Sequence, residues 1–146
     1  MTRALADVFG EVDGVDVSGE MIAQARAALR ECPNVHLHKN NGLDLSMFTD
    51  EEFDFVFSSV VFQHIPRKAI VENYIREAWR VLRPGSAFKF QVQGCTILEH
   101  EANTWVGVGF SESDMRGIAE RQRFGIAWMK GVGTQYFWLT MVKPPT

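Results

Sequence analysis

An α/β layer fold, its sheet mostly parallel and closed by an antiparallel hairpin, is the architecture this sequence predicts. Three observations predict it. Segments of helical period alternate with short apolar or alternating runs. A glycine-rich link, Gly131-Val132-Gly133-Thr134, joins the last two such runs and puts glycines where positive φ is needed. The 146 residues, 46% hydrophobic and 23% charged, suffice for one cored domain over 1–146.

The first segment, Thr2 to Phe9, places Leu5, Val8 and Phe9 at helical spacing, with no cap, turn or strand before it. Val12 to Val17 reads as a strand. Ser18 can cap the helix that follows, in which Met21, Ile22, Ala25 and Leu29 share a face. Pro33 closes that helix, because the residue before a proline avoids helical geometry. Val35 to His38 is a short strand that runs into the turn signal Asn40-Asn41-Gly42. Phe53 to Ser58 is the next strand. Pro66 sits at a first-turn position, and from about Arg67 the residues Ile70, Tyr74, Ile75, Ala78, Trp79 and Leu82 form an apolar stripe. Arg83-Pro84-Gly85 stops that helix and turns the chain. Ala87 to Val92 alternates as a strand, and Gly94 to Phe110 has no strong period and reads as a long loop.

Ser111 and Asp114 resemble a capping box with Asp in place of Glu, with Phe110 and Met115 as its staple, for a helix reaching Gln122. Phe124 to Lys130 and Gln135 to Val142 are the hairpin strands. The aromatic group Phe124, Trp128, Tyr136, Phe137 and Trp138 reads as core beneath that hairpin, and Trp105 as a loop residue able to line a pocket.

Bulk properties exclude several function classes. A net charge of −3 and a pI of about 5.8 argue against a partner with a phosphate backbone. No apolar run approaches the roughly 20 residues of a membrane span, and Thr2 to Asp7 lacks the apolar stretch of a secretory signal. Cys32 and Cys95 read as free thiols in a reducing cytoplasm. His36 with His38, and Glu99, His100 and Glu101, lack a convincing third or fourth ligand, so no metal site is expected.

Gly14 to Ile22 is the most informative stretch. A carboxylate where a strand gives way to a helix, as at Asp16, sits on the rim where open α/β sheets bind ligands and can accept two bonds from a ribose diol. Met21 on the first helical turn offers a pliable thioether to an adenine face. The plain alternative is a capping Asp and a core Met.

The order and spacing of four motifs resemble class I S-adenosylmethionine-dependent methyltransferases. They are Gly14-Val15-Asp16-Val17-Ser18 with Met21-Ile22, then Asn41-Gly42-Leu43-Asp44-Leu45, then Phe53 to Ile65, then Arg76 to Gly85. Gln135 to Thr140 fits that family's antiparallel last strand. The resemblance implies a Rossmann-like sheet and S-adenosylmethionine as cofactor. It implies ribose binding by Asp16 with Val17 beside it, and adenine contact by Met21. Asn41 would meet the adenine amine through its side-chain oxygen, with Gly42 and Leu43 offering backbone. Ser58 and Ser59 would face the methionine half. His64 becomes the catalytic candidate, an imidazole placed to take a proton from the acceptor. A histidine in that apolar setting also serves as a packing or capping residue.

The sequence departs from the family in lacking, before Thr2, the first strand and the glycine-rich turn of G-x-G-x-G type. The domain is therefore expected to be truncated at its N-terminus, with weakened cofactor binding. The missing strand would lie between those ending at Asp16 and Ser58, leaving two edges in need of partners. Direct pairing, a second copy of the chain as a homodimer through those edges, or a longer protein would each supply them. The leading expectation is a cytoplasmic enzyme methylating a small molecule, with no nucleic-acid or membrane partner. A non-catalytic remnant or assembly module is the second. A nicotinamide-dependent oxidoreductase is the third, and the terminal hairpin speaks against it.

Overall fold

The computed structural model describes residues 1–145, and the chain divides into two compact units, Met1–Asp44 and the remainder from Leu45. The first unit runs α1 (Thr2–Ala6), β1 (Val12–Asp16), α2 (Gly19–Ala28) and β2 (Val35–Lys39). β1 and β2 pair in parallel from Val12↔Val35 to Asp16↔Lys39. A Cβ on Gly14 would come within 2.9 Å of Leu37 Cδ2 and 3.8 Å of Thr2, so the end of the Leu37 side chain packs close over this strand. Ile22 is the one fully buried apolar residue of this unit among the described residues, so its sheet is held by backbone pairing and polar contacts more than by a core.

Two of those contacts explain the histidines of β2. Both side chains project to one face, where His36 Nε2 lies 2.7 Å from Glu11 and His38 Nε2 lies 2.6 Å from Asp13. On the free edge of β2, Arg26 donates to the Leu37 carbonyl at 3.1 Å and so shields a strand group that would otherwise invite another chain.

The second unit runs β3 (Phe53–Ser58), a 3-10 turn (Phe62–His64), α3 (Lys68–Val81), β4 (Leu82–Val92), α4 (Glu112–Arg121), β5 (Gly125–Lys130) and β6 (Phe137–Val142). Its strand order is β3-β4-β6-β5. β3 and β4 are parallel, and the other two pairs are antiparallel. Val71, Ile75 and Ala78 of α3 pack with Phe88, Phe90 and Val92 of β4, Phe137, Leu139 and Met141 of β6, and Met115 and Ile118 of α4. The apolar stripe of α3 is thus centred on Val71, one position along from Ile70. Ser111 and Asp114 form the expected capping box, and Phe110 and Met115 are both buried in the core. Gly131 and Gly133 carry the positive φ values, 84° and 77°, that the hairpin link required.

Several expectations need correction. The sheet is not single: β1 pairs only with β2 and β3 only with β4, so no ladder joins β1 to β3 among the described residues. Each of these strands has a partner on one side alone, and periodicity in the sequence cannot say which neighbour a strand finds. The first helix ends at Ala6, because with no buried residue it has no packing to extend it. Arg83-Pro84-Gly85 lies inside β4 as an irregularity rather than in a free turn. Gly85 at φ 82° makes the kink, its amide bonds the Lys143 carbonyl at 2.9 Å, and the register against β3 shifts there. Trp128 and Tyr136 are 44% and 54% exposed rather than core. They alternate onto the outer face, where Lys89 lies 5.5 Å from the Trp128 ring.

Candidate functional site

In the first unit, the predicted cofactor residues gather where β1 and β2 end. Asp16 Oδ1 accepts the Ser18 amide at 2.8 Å, and Ser18 Oγ accepts the Met21 amide at 3.3 Å as the cap of α2. This chain of local bonds fixes the carboxylate and leaves its second oxygen turned to solvent. Val17, Met21 and Leu43 are 59%, 51% and 55% exposed. A Cβ on Gly42 would lie 3.4 Å from Val17, so the two loops touch at that glycine. A carboxylate with a free oxygen and exposed apolar side chains nearby suits a ribose diol attached to a flat base.

Asn41 is used differently from the expectation. Its Oδ1 accepts the Leu43 and Asp44 amides at 2.8 and 3.0 Å, and its Nδ2 donates to Asp44 at 2.9 Å. The side chain builds the turn that presents Gly42 and Leu43. Buried Asn40, expected only as part of a turn signal and not as a site residue, does more of the work. Its Oδ1 accepts the Gly42 amide at 2.7 Å, its Nδ2 donates to the Asp44 carbonyl at 2.7 Å, and its own amide donates to the Asp16 carbonyl at 2.8 Å. Two consecutive asparagines before a glycine are the local signal that could have found it.

In the second unit, Ser58 closes β3 and Ser59 follows it, both half-buried. Val60 then adopts φ 61°, a left-handed conformation that is costly for a β-branched residue. His64 ends the 3-10 turn with both ring nitrogens engaged. Nδ1 lies 3.0 Å from the Thr104 carbonyl and Nε2 lies 3.2 Å from the Gln63 amide nitrogen. Gln63, Gln91 and Gln93, also not anticipated, are buried around this turn.

No described helix is long and apolar enough to cross a membrane. The chain spans 21% and 30% of the lengths of two curated relatives it matches. One is phosphoethanolamine N-methyltransferase 2 of Caenorhabditis elegans, 32% identical over 94 residues, or 63% of this chain. The other is demethylmenaquinone methyltransferase of Staphylococcus carnosus, 34% identical over 76 residues, or 52% of this chain. Among solved structures, an S-adenosylmethionine-dependent methyltransferase of Methanosarcina mazei aligns with TM-score 0.80 at 19% identity, covering 100% of this chain and 88% of that one. A Haloferax volcanii methyltransferase solved with the activator Trm112 gives 0.79 at 20%, covering 99% and 77%. A cyclase, SpnF, gives 0.76 at 15%, covering 99% and 70%, so this fold also hosts other chemistry. The model of the methyltransferase domain matches residues 1–90, well over half the chain. That match places the chain in the methyltransferase domain family, with the class I fold whose cofactor is S-adenosylmethionine.

Proposed function

We propose that this chain binds S-adenosylmethionine and transfers its methyl group to a small-molecule acceptor. The observation that carries the reading is the Asp16 carboxylate, oriented by Ser18 with one oxygen free and exposed Val17, Met21 and Leu43 nearby. In this reading Asp16 takes the ribose hydroxyls and Met21 lies against adenine. Asn41 contributes through the turn it builds, with Gly42 and Leu43 presenting backbone to the base. Ser58 and Ser59 are assigned to the methionine half. When bound, the cofactor supplies an already activated methyl group, so the protein's task is to hold, align and exclude water. A small acceptor is favoured because both curated relatives are named for small molecules and the net charge is −3.

Calorimetry with S-adenosylhomocysteine on the wild-type chain and Asp16→Ala tests the reading. Loss of a charge-assisted contact should weaken affinity about tenfold to a hundredfold. Equal affinity in the two chains would sink the assignment of Asp16.

A further inference from the structure

A glutamine amide has an acceptor end and a donor end, and its neighbours decide which way round it sits. Gln91, fully buried in β4, is oriented by two backbone groups that cannot exchange roles. Its Oε1 accepts the Val60 amide at 3.3 Å and its Nε2 donates to the Gln135 carbonyl at 3.2 Å. The same Nε2 donates to Gln63 Oε1, so Gln63 must present its own Nε2 to the His64 ring, where it meets Nε2 at 3.2 Å. A donor there needs a lone pair, and His64 Nε2 therefore carries no proton. At the other side of the ring, Nδ1 faces the Thr104 carbonyl at 3.0 Å, a group that only accepts. Both ends of the chain of bonds demand the same state: a neutral imidazole with its proton on Nδ1.

We infer that His64 is a positioning residue that pins the tip of the 94–110 loop through the one-way chain Val60–Gln91–Gln63–His64–Thr104, instead of taking a proton from the acceptor. The lone pair a general base would use is engaged by Gln63, whose orientation is fixed from behind by Gln91. The same glutamine holds the amide of Val60, the residue strained at φ 61°. At the far end, the residue after the pinned carbonyl is Trp105, 85% exposed. The tip is folded on Asn103, whose Oδ1 accepts the Trp105 and Val106 amides at 2.8 and 3.3 Å. The flanks of the loop are fastened elsewhere: Glu99 accepts the Lys68 amide at 2.8 Å, and the Val108 amide donates to the Ile65 carbonyl at 3.1 Å. At the tip itself His64 holds the Thr104 carbonyl, and Gln93 Nε2 donates to the neighbouring Val106 carbonyl at 3.3 Å. An indole kept in water by a pinned backbone is placed to meet a bound molecule, and alignment is the main thing a methyltransferase must supply. The tautomer and the pin stand independently of the methyl-transfer reading, and only the use of the indole rests on it.

Long-range proton–nitrogen correlation spectra of the wild-type chain read the tautomer directly, with the His64 signals assigned by their loss in His64→Asn. The expected pattern is a protonated Nδ1 and a bare Nε2, and a proton on Nε2 overturns the inference. Hydrogen exchange at the Trp105, Val106 and Gly107 amides reads the pin. His64→Phe should exchange about tenfold faster there, the scale of one lost hydrogen bond. His64→Asn should stay near wild type, because its Nδ2 occupies the place of Nδ1 and keeps the bond to Thr104. Equal exchange in all three chains, or His64→Asn as fast as His64→Phe, overturns the inference. If His64→Phe does not fold, the wild-type spectrum decides alone.

Discussion

Arg80 and Glu77, three residues apart on α3, form a two-pronged pair: Nε reaches Oε1 at 3.1 Å and Nη2 reaches Oε2 at 2.9 Å. The Glu77 side chain is only 10% exposed, and the same carboxylate accepts the Leu45 amide at 3.1 Å. Arg80 uses its other donors on the Leu45 and Phe48 carbonyls and on Asp50, so it fastens the 45–50 segment to the helix. Glu77 first, and Asp50 next, hold the guanidinium above its ordinary pKa against the opposing effect of burial.

Removing the arginine strands a nearly buried carboxylate. Arg80→Met should therefore lower unfolding stability by about 2–3 kcal/mol in urea denaturation. Adding Glu77→Gln should restore part of it, since Gln keeps an acceptor for Leu45 without an unpaired charge. Strictly additive losses in the double variant would show that the two side chains are not coupled.

Asp114 ties the start of α4 to the start of α3. Burial pushes its carboxyl upward, but the Ser111 amide and hydroxyl and the Lys68 ammonium, 2.9 Å away, together hold it below the ordinary 3.8. A folded value below the unfolded one means the unfolded chain takes up this proton first as acid is added. The contribution is therefore fully present above 3.8 and is lost as pH falls through the lower folded value. Asp114→Asn should cost about 1 kcal/mol at neutral pH. In paired thermal melts, the gap between variant and wild type should persist above pH 3.8 and narrow as the pH falls below it. A gap that is unchanged in acid would place the effect in packing, not charge.

Local signals made much of this fold legible before any coordinates. Ser18 before Met21, Ser111 before Asp114 and the glycines of the hairpin each act within four residues, and each does in space what its spacing implied. Asp16 was visible for the same reason, since a strand end meeting a helix cap is a local event. The glutamine relay was not visible. Gln91 sits in a strand whose alternation reads correctly, yet its burial depends on Gln63 and Gln135, 28 and 44 positions away. Glu99 likewise caps α3 from 31 positions away. The absent strand between those ending at Asp16 and Ser58 marked where the sheet would be interrupted, but apolar alternation identifies a strand without naming its neighbour, so whether β1 and β3 would pair directly stayed open.

Gly107 gives a way to disturb the loop without touching any polar group. It lies at φ 57°, and a Cβ there would overlap the Gln63 carbonyl, with its carbon 2.6 Å away and the His64 nitrogen at 3.3 Å. The obstacle is backbone of the 3-10 turn, which cannot swing aside as a flexible side chain would, so Gly107→Ala must move the loop. Gly133 is the matched control: at φ 77° it shares the left-handed backbone, but nothing lies within 4 Å of its Cβ. Gly133→Ala should therefore cost about 1–2 kcal/mol, the penalty of the backbone conformation alone. Gly107→Ala should cost more by roughly 1–3 kcal/mol, the scale of overpacking. It should also speed hydrogen exchange at Trp105 and Val106 while β4 and β6 stay protected, because the displaced loop draws the Thr104 carbonyl away from His64. Equal cost in the two alanine variants, with unchanged exchange at the tip, would mean the loop does not rest on the turn that carries His64.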